Sequence, residues 1–286
     1  MRYESPTTIK EVVGLLKKER GKAYVLAGGT DLLVGMKLGT VEPDLLVDIK
    51  HIPAMSVVKT SKTGFRIGAA VSCAELGEHR ALKKAWPGVV EAANLIGSDQ
   101  VQGRCTVVGN LCNASPAADS VPALIAAGAK AVIVGADGRR TVAVENIATG
   151  PGKTSLRKGE VIEAITLPNQ TKTSGDAYLR FTPRTEMDIA VVGVGINLTL
   201  EKGLVSKARV VLGAVAPTAI LVPEAAEALI GTKVDKKALE NLAAACSAAC
   251  RPIDDKRGSA EYRTRIAGVM AVRAAKIAFK RAGSAA

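Results

Sequence analysis

The strictest constraint in this sequence is the passage Leu26-Ala27-Gly28-Gly29-Thr30-Asp31-Leu32. The apolar run Tyr24-Val25-Leu26-Ala27 reads as a short strand, and Leu32, Leu33 and Met36 open a helix that Thr30 or Asp31 can cap. Only two glycines separate strand from helix, so the chain turns sharply there and aims the first helical N–H groups at the turn. A second glycine-bearing segment follows much later, Thr106-Val107-Val108-Gly109-Asn110, with Ser115-Pro116-Ala117-Ala118-Asp119 close behind. A pyrophosphate needs several N–H donors at once, and only a backbone without Cβ can crowd against it. The pair therefore predicts two loops, distant in sequence, closing on one anionic ligand. Neither segment fits G-x-G-x-x-G or G-x-x-x-x-G-K-[ST], so the common nucleotide folds are not indicated.

The 286 residues are enough for a full core and for two or three modest domains. A net charge of +12 raises the question of nucleic acid. Against it stand one Trp, four Tyr and three Phe, too few stacking platforms for single strands, and basic residues that mostly sit beside acids. The densest stretch, Arg251 to Arg281, has nine Lys or Arg against three acids and reads as the solvated face of a C-terminal helix. A partner subunit of opposite charge is the alternative. No apolar run reaches the roughly 18–20 residues of a membrane span, and the N-terminus has no secretory core, which predicts a cytoplasmic protein. Cysteines 73, 105, 112, 246 and 250 form no disulfide framework and imply a reducing compartment. With two His in the chain, no four-ligand set for zinc or an iron–sulfur cluster is visible, so all five read as small buried hydrophobes.

Along the chain, Thr8 to Glu11 is a capping box opening an amphipathic helix, and Leu45 to Ile49 is a second strand. Phe65 to Ala69 is a strand, Ser72 to Glu75 another capping box, and Pro87 opens a helix closed by Gly97. Ser98 to Pro116 shows no sustained period and is expected to be a long structured loop. A helix follows to Ala127, then a hairpin around Asp137-Gly138 and a strand from Val161 to Leu167. Asn169 to Asp176 reads as a polar connection at a domain boundary. Long strands at Ile189–Leu200 and Val205–Val215 precede helices near Pro223–Ile230, Lys236–Cys250 and Ser259–Arg281. The expected class is α+β, divided at 1-55, 56-172 and 173-286.

These segments, taken in order, resemble the flavoprotein subunit of the molybdenum hydroxylases, the xanthine dehydrogenase and carbon monoxide dehydrogenase type. Gly97-Ser98-Asp99-Gln100-Val101-Gln102, Thr106 to Asn110, Ala114-Ser115-Pro116 and Asp119 fall in the family's order and spacing, as do Arg180-Phe181, Arg184, Asp188-Ile189-Ala190 and Gly258 to Arg263. The resemblance implies an FAD-binding fold of the vanillyl-alcohol oxidase type in two α/β subdomains, with a C-terminal domain of antiparallel sheet and helices. It implies FAD as cofactor, with Leu26, Ala27, Gly28, Gly29, Thr30, Asp31 and Leu32 as the first pyrophosphate loop. Gly109 and Asn110 would form the second loop, and Thr106 would offer its hydroxyl. Asp119 would accept from a sugar hydroxyl, and Ile96, Ile162 and Arg180 would lie near the flavin ring. Val108 stands where the family usually has a second glycine, and Ile96 where the animal enzyme is aromatic.

The implied partners are a molybdopterin-binding large subunit and a [2Fe-2S] small subunit, in a dimer of heterotrimers. Electrons would arrive from the iron–sulfur subunit and leave to an external acceptor. The hydroxybenzoyl-CoA reductase branch is disfavoured, because its inserted four-cysteine loop is missing. The alternatives are a stand-alone FAD-dependent oxidoreductase of the same fold, or a nucleotide-binding scaffold without redox activity. Plainer roles also exist for the residues themselves. Gly28-Gly29 could be a simple turn, Asp119 a helix cap, Ile96 and Ile162 core residues, and Arg180 an ion-pair partner of Glu186 or Asp188.

Overall fold

The computed structural model describes residues 1–185 and 187–283. Thr8 caps the helix Ile9–Lys18 as its sequence predicts: its hydroxyl accepts from the Glu11 amide, and the Glu11 carboxylate accepts from the Thr8 amide. Val12 and Leu16 on the buried stripe of that helix join the core around a parallel sheet of β1 (Arg2–Glu4), β2 (Ala23–Leu26) and β3 (Leu45–Asp48). The strand order is β1-β3-β2, and every residue of the central β3 is buried, as a parallel strand covered on both faces requires. β1 was not expected. Three residues carry no period, and only pairing with Leu45–Val47 makes them a strand.

The second sheet is antiparallel. It contains β4 (Val58–Ser61), β5 (Gly64–Gly68), β6 (Lys130–Gly135) and β7 (Gly138–Ala143). A small separate ribbon, β8 (Ala148–Gly150) and β9 (Lys153–Thr154), precedes the central β10 (Val161–Pro168), giving the order β4-β5-β10-β6-β7. β6 and β7 form the predicted hairpin, with Ala136-Asp137 as its turn and Gly138, at φ +105°, opening the return strand.

Six helices connect β5 to β6: Cys73–Glu78, Arg80–Ala85, Pro87–Ala93, Asp99–Gln102, Val107–Asn113 and Ser120–Ala126. Two of them correct the long loop expected over Ser98 to Pro116. Asp99–Gln102 is a single turn, and Val107–Asn113 is seven residues closed by Ala114 in the left-handed conformation, φ +50°. Neither is long enough to display a helical period.

The third sheet runs β11 (Ser174–Phe181), β12 (Val192–Glu201), β13 (Leu204–Gly213), β14 (Ile220–Leu221), all antiparallel in that order. β11 corrects the polar connection expected up to Asp176, because Ser174, Gly175 and Asp176 already pair with Thr199, Leu198 and Asn197. The alanine-rich helices Lys236–Ala249 and Ala260–Gly283 share one core with β12 and β13, while the first two sheets share another. The basic stretch from Arg251 to Arg281 is not all solvated face. Arg263 is only 4% exposed, donating to Asp255 and to the carbonyls of Val191 and Ala214. Among the described residues no helix is long and apolar enough to cross a membrane.

Candidate cofactor-binding site

β2 ends at Leu26 and the helix Leu32–Lys37 begins after five residues of turn. The two glycines in that turn are needed for different reasons. Gly29 has φ +79°, a conformation that disfavours any Cβ. A Cβ on Gly28 would instead stand 2.7 Å from the carbonyl carbon of Arg104 and 2.8 Å from Cα of Cys105. The backbone of the first segment thus rests directly on that of the second. The bare backbone at Gly28 serves the closure of the two segments on one another, where sequence reasoning had assigned it to the ligand.

The amides of Gly28, Gly29, Thr30 and Asp31 meet no acceptor among the described residues. Four successive N–H groups without a partner make a nest for an anion. Asp31 occupies the cap position of the helix, but its carboxylate makes no capping bond, and burial raises its pKa. Lys50 pins the entry to the turn by donating to the Ala27 carbonyl at 3.3 Å and to Asp48 at 2.7 Å. Asp48 also accepts from the Tyr3 hydroxyl at 2.7 Å, so β1, β3 and the turn form one network.

The second segment is the start of a helix. Thr106 caps Val107–Asn113, its Oγ1 accepting from the Gly109 amide at 2.8 Å, and its carbonyl accepts from the Asn110 amide at 2.9 Å. Those two amides are therefore spent within the helix. The amides of Val107 and Val108 are the ones that meet no acceptor among the described residues. Val108 is helical, so its Cβ is unstrained where a second glycine was expected. Asn110 Oδ1 accepts from the Ser120 hydroxyl at 2.6 Å and its amide at 3.2 Å, tying this helix to Ser120–Ala126. Thr106→Ala is expected to lower stability by about 1 kcal/mol through loss of the cap, with Thr106→Ser close to wild type; urea unfolding of the two variants measures it.

Between the segments lies a cavity of about 500 Å³. Ala27, Gly28, Gly29, Thr30, Asp31 and Leu32 line one side, Thr106, Gly109 and Asn110 another, and Ile96 and Ile162 contribute apolar wall. Of the sequence-predicted site residues, three do not line it. Leu26 is buried in β2. Asp119 and Arg180 are paired with each other at 2.8 Å, and Asp119 also accepts from the Tyr178 hydroxyl at 2.9 Å. Asp119 is no side-chain helix cap. Burial raises its pKa, opposed by Arg180 and by the Tyr178 hydroxyl. Glu186, one partner considered for Arg180, lies outside the described residues, and Asp188 faces Arg184 and Arg257 instead.

Sequence reasoning missed Tyr178, because β11 itself was not foreseen. Tyr178→Phe removes one buried hydrogen bond and is expected to cost about 1–2 kcal/mol in thermal or urea unfolding. It also missed the wall supplied around β9 by Thr154, Leu156 and Glu160. The Gly150-Pro151-Gly152 turn signal was the available clue. Glu160 is held ionised there, its pKa lowered to about 2, chiefly by the bidentate Arg140 at 2.7 and 2.8 Å.

An anion nest and a helix start closing on one partly apolar cavity is an arrangement that matches known proteins. Residues 1–170 match the FAD binding domain in molybdopterin dehydrogenase, and residues 177–278 match the CO dehydrogenase flavoprotein C-terminal domain. The chain belongs to this flavoprotein family. The carbon monoxide dehydrogenase medium chain of Hydrogenophaga pseudoflava is 34% identical over 98% of this flavoprotein and 97% of that relative. The xanthine dehydrogenase FAD-binding subunit of Escherichia coli O157:H7 is 29% identical over 94% and 92% of the two chains. A solved carbon monoxide dehydrogenase of Hydrogenophaga pseudoflava superposes with a TM-score of 0.94 at 34% identity, covering 98% of both chains. FAD is the cofactor of the family, and this flavoprotein is an FAD-binding oxidoreductase subunit of the molybdenum hydroxylase type. The expected fold is thereby established, an FAD-binding portion followed by a C-terminal portion of sheet and helices.

The residues present fit that cofactor. The unpartnered amides of Gly28 to Asp31 suit a pyrophosphate, and the apolar walls at Ile96 and Ile162 suit planar rings.

Proposed function

We propose that the cavity between the two segments holds FAD, and that this subunit takes electrons from a [2Fe-2S] partner and passes them to an external acceptor. The observation that carries the reading is the row of unpartnered amides at Gly28, Gly29, Thr30 and Asp31, packed through Gly28 against Arg104 and Cys105. The first segment binds the pyrophosphate by N–H donation, with the Val108 amide and the Thr106 hydroxyl approaching from the second. Leu26 supports the turn from below. The buried Asp119–Arg180–Tyr178 group orders the adjoining wall, where Asp119 offers acceptors toward a sugar hydroxyl and Arg180 adds positive charge near the flavin ring. Bound FAD supplies the redox chemistry itself, and the chain's residues position it and tune it. No side chain is required to act as acid or base.

The partners are a molybdopterin-binding large subunit and a [2Fe-2S] small subunit, assembled in the cytoplasm as a dimer of heterotrimers. Coexpression with both partners is the test. The expected product is a yellow complex containing the three chains in equal amounts, in which rapid mixing with the substrate of the large subunit reduces the clusters and then bleaches the flavin. A chain that purified alone, held FAD tightly and turned over a substrate by itself would overturn the proposal.

A further inference from the structure

The cavity wall behind the second segment contains two cysteines with no part in the function above. Cys105 lines the cavity, and Cys73, wholly buried at the first position of the helix Cys73–Glu78, stands behind it. The Cys73 amide donates to the Cys105 carbonyl at 2.8 Å, and the two thiols are hydrogen-bonded to one another. Residues joined in this way are within the separation a disulfide bridges. The other three cysteines differ. Cys112 also lines the cavity, but burial pushes its pKa up to about 12. Cys246 and Cys250 belong to the separate core of the third sheet.

Chemistry distinguishes the two members of the pair. The hydrogen bond from Cys73 holds the Cys105 pKa below its ordinary value, against opposing effects of burial and of Asp31. Cys73 is raised, first by that same hydrogen bond and then by burial. Cys105 therefore has the thiolate character and the cavity access of an attacking sulfur, and Cys73 the placement of a resolving one.

We propose that Cys105 and Cys73 are a redox-active dithiol in the wall of the cofactor cavity, closed to an intramolecular disulfide by a low-molecular-weight disulfide that enters the cavity when FAD is absent. The Cys105 thiolate attacks one sulfur of the reagent, forming a mixed disulfide and expelling a thiolate. Cys73 then loses its proton, attacks the Cys105 sulfur and expels the second thiolate. The two cysteines lose two electrons and two protons, and the reagent becomes two thiols. The new bond fixes the second segment to the Cys73–Glu78 helix at the residue on which Gly28 rests. The shielding by FAD rests on the proposed function, whereas the pairing of the sulfurs does not.

The experiment incubates the full-length chain, freed of FAD, with oxidised glutathione and follows thiol count and peptide mass. Two of the five thiols are expected to disappear, with a Cys73–Cys105 cross-linked peptide. Cys73→Ser should stop at a glutathione adduct on Cys105, and Cys112→Ser should behave as wild type; circular dichroism verifies that both fold. Saturating FAD should slow the loss about tenfold or more, as expected when access to the attacking sulfur is closed. Persistence of all five thiols in the empty chain overturns the proposal, as does a cross-link to Cys112. Oxidation at an unchanged rate in a chain that binds FAD, shown by flavin absorbance co-eluting with the protein, overturns the shielding. Formation of the same cross-link in a chain that binds no FAD supports the dithiol and overturns the proposed function.

Discussion

Gly28→Ala is expected to yield a chain almost devoid of flavin, while Gly109→Ala keeps most of it. A Cβ at position 28 falls 2.7–2.8 Å from backbone atoms of Arg104 and Cys105, and backbone cannot swing aside as a side chain does. The two segments must separate, and the unpartnered amides of the first turn leave their positions around the pyrophosphate. Hydrogen bonds to a charged acceptor contribute roughly 1.5–3 kcal/mol each, so losing the geometry of two weakens FAD binding by about 100-fold or more. At position 109 the added Cβ meets only the Thr106 hydroxyl, at 3.0 Å, in a helix that tolerates alanine. Flavin absorbance per chain after purification, followed by titration of the apoprotein with FAD, measures both variants. Wild-type affinity in Gly28→Ala would overturn the assignment of the cavity.

Asp176→Asn is expected to stabilise the protein above neutral pH and to leave it unchanged near pH 4. The Asp176 carboxyl is buried beneath Gly88 and Val89, and burial pushes its pKa up to about 7, opposed by those backbone amides and by Arg281, while Glu91 adds to the rise. One oxygen accepts from the Val89 amide at 3.2 Å, and the other has no partner. Its folded pKa lies above the unfolded value of about 3.9. The folded state therefore binds the extra proton, and stability falls as pH rises from about 4 to about 7, remaining low beyond. A gap of about three pKa units corresponds to at most roughly 4 kcal/mol, which the neutral amide recovers at pH 8. Asn197 stands directly opposite in β12 on the same face of the sheet, and its Oδ1 is also buried without a partner. An amide at position 176 brings a donor to a region that holds two unmatched oxygens. Urea unfolding at pH 4, 6 and 8 tests the sign, and equal stability of the two proteins at pH 8 would refute it.

How much of this could be read beforehand depended on the range of each interaction. The capping boxes at Thr8 and Ser72 are local, and both helices begin where those residues place them. The turn at Gly28-Gly29 was legible because strand, glycines and helix lie side by side in the sequence. The helix Val107–Asn113 was hidden by its length and by a mixture of β-branched and small residues that favours no period. β11 was hidden because its first residues, Ser174, Gly175 and Asp176, read as a linker; pairing with Thr199, Leu198 and Asn197 is what orders them. The Asp119–Arg180 pair joins residues assigned separately to a sugar and to the flavin ring, and Tyr178 completes it through a strand that had not been foreseen. The reasons for the glycines also changed, since only the assembled backbone separates a positive φ at Gly29 from a close approach at Gly28.

The seating of Gly28 on Arg104 and Cys105 also bears on the order of assembly. Neither segment shapes the cavity alone, so the cofactor finds its site only after the parallel sheet has docked against the helices that follow β5. A ligand bound to the docked state and not to the open one raises the stability of docking by mass action. FAD is in this sense a clamp across a seam of the fold, and the empty chain opens along that seam first.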